Sequence, residues 1–348
     1  MEDITMRKRL SVLIVLLVVA FGMVNLGAAE KQKPGTGFNG GSLELLPPDS
    51  TGVFTFNFQK FAGMPFFDKI YDKMIGSKAN TPENKNPLKM IFESSGLDLK
   101  KDFISLSLGF VGDFLGKESP DFVIVIRANY NKSILSMLEK AMGPELKKEA
   151  YSGESLYIFK DDKETIAMDL PDGKYILAGT PRLVKESIDR LKGKAKTASP
   201  GVMIGKLKSP EFIDALLSFS MPVSSDMKKG VKGDPDKPEA KMFAMNLDKA
   251  ESVLGLIDLK DNTWSTLIEL ISRDEVSNQQ VASTLNGLKG MAAMAGPEFM
   301  EAFKNLNITG SAQGVRLEGS MTDETLQKLI RKINEKKEAE ASQESIAK

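Results

Sequence analysis

An α+β fold in two similar halves, each a mostly antiparallel or mixed sheet with helices packed on one side, is what this sequence predicts. Three observations lead there. Short runs of alternating or continuous β-prone residues are joined by brief turns. Stripes of apolar residues at helical spacing interrupt them. The same kinds of pieces then start over after the polar interval Gly193 to Pro200.

The chain opens on an export signal. Arg7, Lys8 and Arg9 precede twenty residues, Leu10 to Ala29, whose polar members are Ser11 and Asn25. The run ends in the small residues Gly27, Ala28 and Ala29, where a signal peptidase can cut before Glu30. An uncleaved segment of this length is also enough to anchor the chain in a membrane. No cysteine follows it to carry a lipid. The expected location is therefore periplasmic or secreted, with a tether only if the signal stays. Residues 1–29 are read as signal, 30–41 as flexible linker, 42–195 as the first half, 196–333 as the second and 334–348 as a charged, disordered tail.

In the first half, Phe54, Phe56 and Phe58 alternate with Thr55 and Asn57, predicting a strand over Val53 to Phe58 with one aromatic face buried. Helices are predicted from Pro65 to about Met74 and around Leu88 to Glu93. Ile104, Leu106 and Leu108, spaced by Ser105 and Ser107, predict a half-buried strand, and the unbroken run Phe122 to Ile126 a central one covered on both faces. A helix over Asn131 to Met142 is followed by strands Ser155 to Phe159, Thr165 to Leu170 and Tyr175 to Ala178, the last two joined by the turn Pro171-Asp172-Gly173-Lys174. Pro181 opens a helix bearing Leu183, Val184, Ile188 and Leu191.

In the second half, Val202 to Leu207 followed by Pro210-Glu211-Phe212 parallels Val53 to Phe58 followed by Pro65-Phe66-Phe67, so a strand is expected at Val202. Ser209-Pro210-Glu211-Phe212 and Gly296-Pro297-Glu298-Phe299 are both efficient helix starts. A mobile loop is expected over Ser224 to Lys241, then strands Met242 to Leu247, Val253 to Leu259 and Thr266 to Ile271. A long helix aligns Val281, Leu285, Leu288 and Ala292, and a last strand and helix cover Val315 to Met321 and Leu326 to Ile333.

Composition restricts function more than any motif does. With 47 basic and 47 acidic residues there is no global field to draw nucleic acid. The chain has neither histidine nor cysteine. Ser-His-Asp and Cys-His nucleophile systems are therefore unavailable, as are the nitrogen and sulfur ligands of zinc, copper and most iron sites. No catalytic residue, cofactor or metal ligand is nominated.

Motif matches fail on context. Gly35, Gly37 and Gly40 fit a dinucleotide loop, yet a cleavage site precedes them and a Pro-Pro turn follows. Ser225 and Lys228 have the spacing of penicillin-recognising enzymes without the further motifs. Asp226, Asp234 and Asp236 are broken up by Pro235 and Pro238, unlike a calcium loop. Asn131 and Asn307 head glycosylation sequons.

Soft apolar residues are abundant, with 18 Met and 19 Phe. Met291, Met294, Phe299, Met300 and Phe303 cluster near the end of the long helix. Core filling is the commoner use of such residues; on a surface they would line a groove for an acyl chain or a peptide.

The start Leu46-Pro47-Pro48-Asp49-Ser50 resembles that of a set of exported bacterial proteins of unknown function, which open with Leu-Pro-x-Asp-Ser/Thr before a strand. The resemblance implies an exported protein alternating strands and helices in two similar halves, and no reaction. The function expected is binding, of a hydrophobic ligand or an envelope partner. The alternatives are a hydrolase of envelope glycans or esters using carboxylates, and an assembly factor of the envelope.

Overall fold

The structure, a computed structural model, describes residues 41–64, 67, 98, 100–112, 120–131, 146–160, 165–195, 202–223, 249–294, 296–332 and 335. The signal, the Gly35 to Gly40 loop, the helices expected at Leu88 and Ile134, the strand at Met242, the Ser225 and Asp226 to Asp236 motifs and the tail other than Glu335 lie outside the described residues. So does the helix expected after Pro65, apart from Phe67.

In chain order the elements are α1 (Gly41–Glu44), β1 (Gly52–Asn57), α2 (Phe58–Ala62), β2 (Phe103–Val111), β3 (Asp121–Ala128), β4 (Lys147–Tyr151), β5 (Glu154–Lys160), β6 (Thr165–Asp169) and β7 (Tyr175–Gly179). They continue with α3 (Pro181–Leu191), α4 (Val202–Leu207), α5 (Pro210–Ile213), β8 (Leu217–Pro222), β9 (Ser252–Lys260), β10 (Thr263–Ile271), α6 (Glu275–Ala293), α7 (Pro297–Phe303), β11 (Asn307–Ser311) and β12 (Gly314–Thr322). Residues 323–332 are helical.

All twelve strands belong to one sheet, in the order β11-β12-β10-β9-β8-β1-β2-β3-β7-β6-β5-β4. Every neighbouring pair is antiparallel. The sheet crosses the expected boundary near residue 195 without a break, because β1 pairs directly with β8 through Val53 to Phe56 against Leu217 to Ser220.

Helices cover both faces of this sheet, not one side as expected. The alternation of a strand means that a chain of cross-strand partners shares a face. Leu267, Leu256, Ser218, Thr55, Ser107, Val125 and Leu177 form such a row. Its apolar members pack with Leu43, Leu45 and Leu46 around α1, Leu183, Val184 and Ile188 of α3, and Ile204 and Leu207 of α4. The opposite face carries Phe56, Leu106, Leu108, Ile124 and Ile126 beneath Phe58 and Phe61 of α2. Farther along that face, Leu270 and Val315 meet Val281 and Ala282 of α6.

Cover on both faces corrects the reading of β2 as half-buried: Ser105 and Ser107 are both fully buried. The Ser107 hydroxyl hydrogen-bonds that of Ser42 at 2.8 Å, and Thr55 and Ser218 share a 2.6 Å hydroxyl contact across the β1–β8 join. A buried hydroxyl costs free energy unless it is paired, so these contacts reward one register.

Phe58 is the first residue of α2, not the last of β1, because the Asn57 side chain accepts the Lys60 backbone N–H at 2.9 Å and starts a helix. The strand expected at Val202 is instead α4. Its Met203, Ile204 and Leu207 fall on one helical side, and the last two are buried. Strands β4, β8 and β11 complete the sheet where none was expected.

Candidate functional site

Among the described residues no group of three or more Asp, Glu, His or Cys is placed to hold a metal ion. Nor is any helix long and apolar enough to cross a membrane. A shallow depression at the start of α6 is lined by Lys249, Glu251, Arg273, Asp274 and Val276. Its charges are satisfied internally, Lys249 by Asp274 and Arg273 by Glu251. Among the described residues, exposed large apolar side chains gather at the end of α6 and on α7, at Met291, Met294 and Met300.

Helix α6 is set by polar contacts at its start. The Asp274 carboxylate accepts the Ser277 backbone N–H at 2.9 Å, and Lys249 pairs with the same carboxylate while donating to the Ser277 hydroxyl at 2.8 Å. The buried Asn278 side chain donates to the carbonyls of Ser272 at 3.1 Å and Ser311 at 2.8 Å. Close approach is also built in. A Cβ at Gly310 would lie 2.6 Å from the Asn278 carbonyl oxygen and 2.8 Å from the Gln279 Cα, so the backbone of α6 rests directly on β11.

The Lys249 ammonium, and then the Ser277 backbone N–H, hold the Asp274 carboxyl below the ordinary carboxylate range. A lowered folded-state pKa contributes stability that is present above the unfolded value and lost as pH falls through the folded one. Amide exchange at Ser277 and Asn278 is therefore expected to keep its neutral-pH protection until roughly pH 4 and to lose it below, with Asp274→Ala removing the protection at every pH.

With that start fixed, α6 buries Val281 and Ala282 and half-buries Leu285. At 3.6 residues per turn, Val276 lies roughly 140° around α6 from Val281, on the far side of the helix from the sheet, and Met294 follows directly after the last turn of α6. Their side chains are 66% and 87% exposed. Met291 and, on α7, Met300 are 64% and 57% exposed, and Leu288 at the flank of the buried stripe is also exposed.

The five residues singled out by the sequence thus divide. Met291, Met294 and Met300 stand on the surface, while Phe299 and Phe303 are half-buried around the buried Ala302. The commoner use of methionines, filling a core, does not apply to these three. Val276 was missed, and Leu288, expected on the apolar stripe with Val281 and Leu285, is exposed because it lies at the flank of that stripe. The helical period itself puts Val276 opposite Val281, so the signal was present. Ile257 and Ile268 also belong to the exposed apolar set, and they lie on the face of the sheet that α6 covers farther along. No sequence pattern separates them from core β-residues.

No family model matches the chain, and no curated protein matches it. Three crystal structures of TP0453 are similar to it at the level of the fold. Crystal form IV gives a TM-score of 0.46 at 9% identity over 83% of this chain and 95% of that one. Form III gives 0.43 at 8%, covering 83% and 96%, and form I gives 0.42 at 10%, covering 83% and 95%. Likeness at this level is loose and says nothing about what the chain binds.

Proposed function

We propose that this chain is an exported, non-catalytic binding protein whose contact surface is the apolar outer side of α6 and α7, with an acyl-bearing molecule as its ligand. The observation that carries the reading is the exposure of Met291 and Met294 at the end of α6 together with Met300 on α7, the helix that follows. Burying one such side chain is worth about 1.5–3 kcal/mol, so leaving a group of them in water forgoes stability that a ligand can recover. Unbranched thioethers adapt to flexible apolar partners. Absence of histidine and cysteine favours binding over turnover.

Export rests on the basic front, apolar centre and small-residue end of residues 1–29, with cleavage near Ala29 or retention as an anchor. The two similar halves are supported by the strand order. β1, β2 and β3 run outward from the centre in one direction and β8, β9 and β10 in the other, after which both sides add a later strand, β7 or β12.

Titration of the purified protein with a fluorescent fatty acid tests the reading. Saturable binding is expected, and Met291→Lys with Met294→Lys should weaken it at least tenfold, since charge on an apolar contact must be desolvated. Equal binding by this double variant and the wild type would remove the surface from consideration.

A further inference from the structure

The two outer strands of the sheet are finished differently. On β4, Lys147, Lys148 and Glu149 are exposed, and charges on an edge discourage another strand from adding to it. On β11 the sequence Asn-Ile-Thr-Gly-Ser carries neither charge nor proline. Its protection comes from α6. Lys289 Nζ donates to the Leu306 carbonyl and Asn286 Nδ2 to the Ile308 carbonyl at 3.1 Å, alternate positions whose backbone groups share the outer side of the strand, while Asn278 Nδ2 ties down the strand's end through the Ser311 carbonyl at 2.8 Å. Positions 278, 286 and 289 fall on one side of a helix, so a polar stripe of α6 faces the strand.

We propose that α6 is a guard of this edge, occupying carbonyls that would otherwise accept the backbone N–H groups of an extended strand from a second copy of the chain. An antiparallel sheet grows by such pairing wherever an outer strand presents free backbone groups without charge, proline or cover. β11 has only the cover. The guard acts through the inner side of α6, so it does not rest on the ligand reading of the outer side.

Sedimentation velocity on the full chain over a range of concentrations tests the guard. Asn286→Asp with Lys289→Met removes two donors and leaves the apolar contacts of Val281 and Ala282 in place. This variant is expected to form larger species whose fraction rises with concentration, at least tenfold above the wild type at the same concentration. Adding Thr309→Lys, which puts a charge on the exposed strand, should return it to wild-type behaviour. Asn286→Asp alone, a near-isosteric change, should move the same way to a smaller degree and serves if the double variant does not fold. Wild-type sedimentation of the folded single and double variants would overturn the proposal. So would association that survives Thr309→Lys and disappears with Met294→Lys, because that assigns it to the apolar outer side.

Discussion

Replacing Gly179 by alanine is expected to prevent the chain from reaching its native state at 37 °C, or to lower its melting temperature more than any other single methyl addition outside the glycine positions. Gly179 ends β7, where it pairs with Val123 of β3 and Ala167 of β6. Its φ is +153°, a backbone region that L side chains rarely adopt. A Cβ there would lie 2.1 Å from the Phe122 carbonyl oxygen and 2.8 Å from the Val123 Cα. Both are backbone atoms of a strand held on two sides, so neither can move aside as a flexible side chain would. Strain and overpacking together cost roughly 2–6 kcal/mol. Circular dichroism melts decide the matter, with Gly193→Ala as control. Gly193 also has positive φ, but a Cβ there would meet nothing within 4 Å. A Gly179→Ala protein that melts with the control would show that β7 and β3 do not approach as described.

Truncating Leu46 to alanine is expected to have the next largest effect. Leu46 is 1% exposed and belongs to the core that joins α1 to α3 and α4. Its side chain lies over Gly109 of β2, where an added Cβ would stand 3.3 Å from a Leu46 methyl carbon. The two prolines that follow stiffen the backbone, and Ser50 donates its hydroxyl to the Pro47 carbonyl at 2.6 Å while its N–H reaches the same oxygen at 3.1 Å. Such a turn limits how far Leu46 can shift to fill a void. Loss of the side chain should therefore cost about 2–5 kcal/mol, seen as a fall of roughly 5–15 °C in melting temperature. Asp49→Ala, in the same turn, should shift it far less. Equal effects would mean that the turn, not the buried leucine, is what the fold requires.

The same five residues show how far a sequence can be read. Leu46-Pro47-Pro48-Asp49-Ser50 announces the start of the folded body before a strand, and β1 follows at Gly52. Period-two runs are equally plain in β2, β9, β10 and β12, where β-prone residues alternate or run on. By contrast β4 reads Lys-Lys-Glu-Ala-Tyr and β11 reads Asn-Ile-Thr-Gly-Ser. β4 is exposed along most of its length and β11 has Ile308 as its one large apolar residue, so both are fixed by the partner they pair with more than by a period of their own. β8, Leu-Ser-Phe-Ser-Met-Pro, does alternate, and its signal was hidden behind the more prominent helix start at Ser209. Val202 to Leu207 shows the opposite error. Likeness to Val53 to Phe58 suggested a strand, whereas the spacing of Met203, Ile204 and Leu207 suits a helix lying on the sheet.

For the candidate surface, the methionine cluster was legible as composition, and its outward direction was implicit in the phase of Val281. Which use of methionine applied was not legible, since a core and a contact surface draw on the same residues.

By itself, then, the sequence determined the α+β class, the places of the strong strands, and a chain without imidazole or thiol, because these follow from residue chemistry and short-range period. Only the tertiary structure decided that one sheet runs through both halves, that helices lie on both its faces, and that Met291, Met294 and Met300 face water. Each of those depends on partners distant in sequence: β1 on β8, Ser107 on Ser42, and α6 on β11, whose carbonyls hold the helix with its other side turned outward.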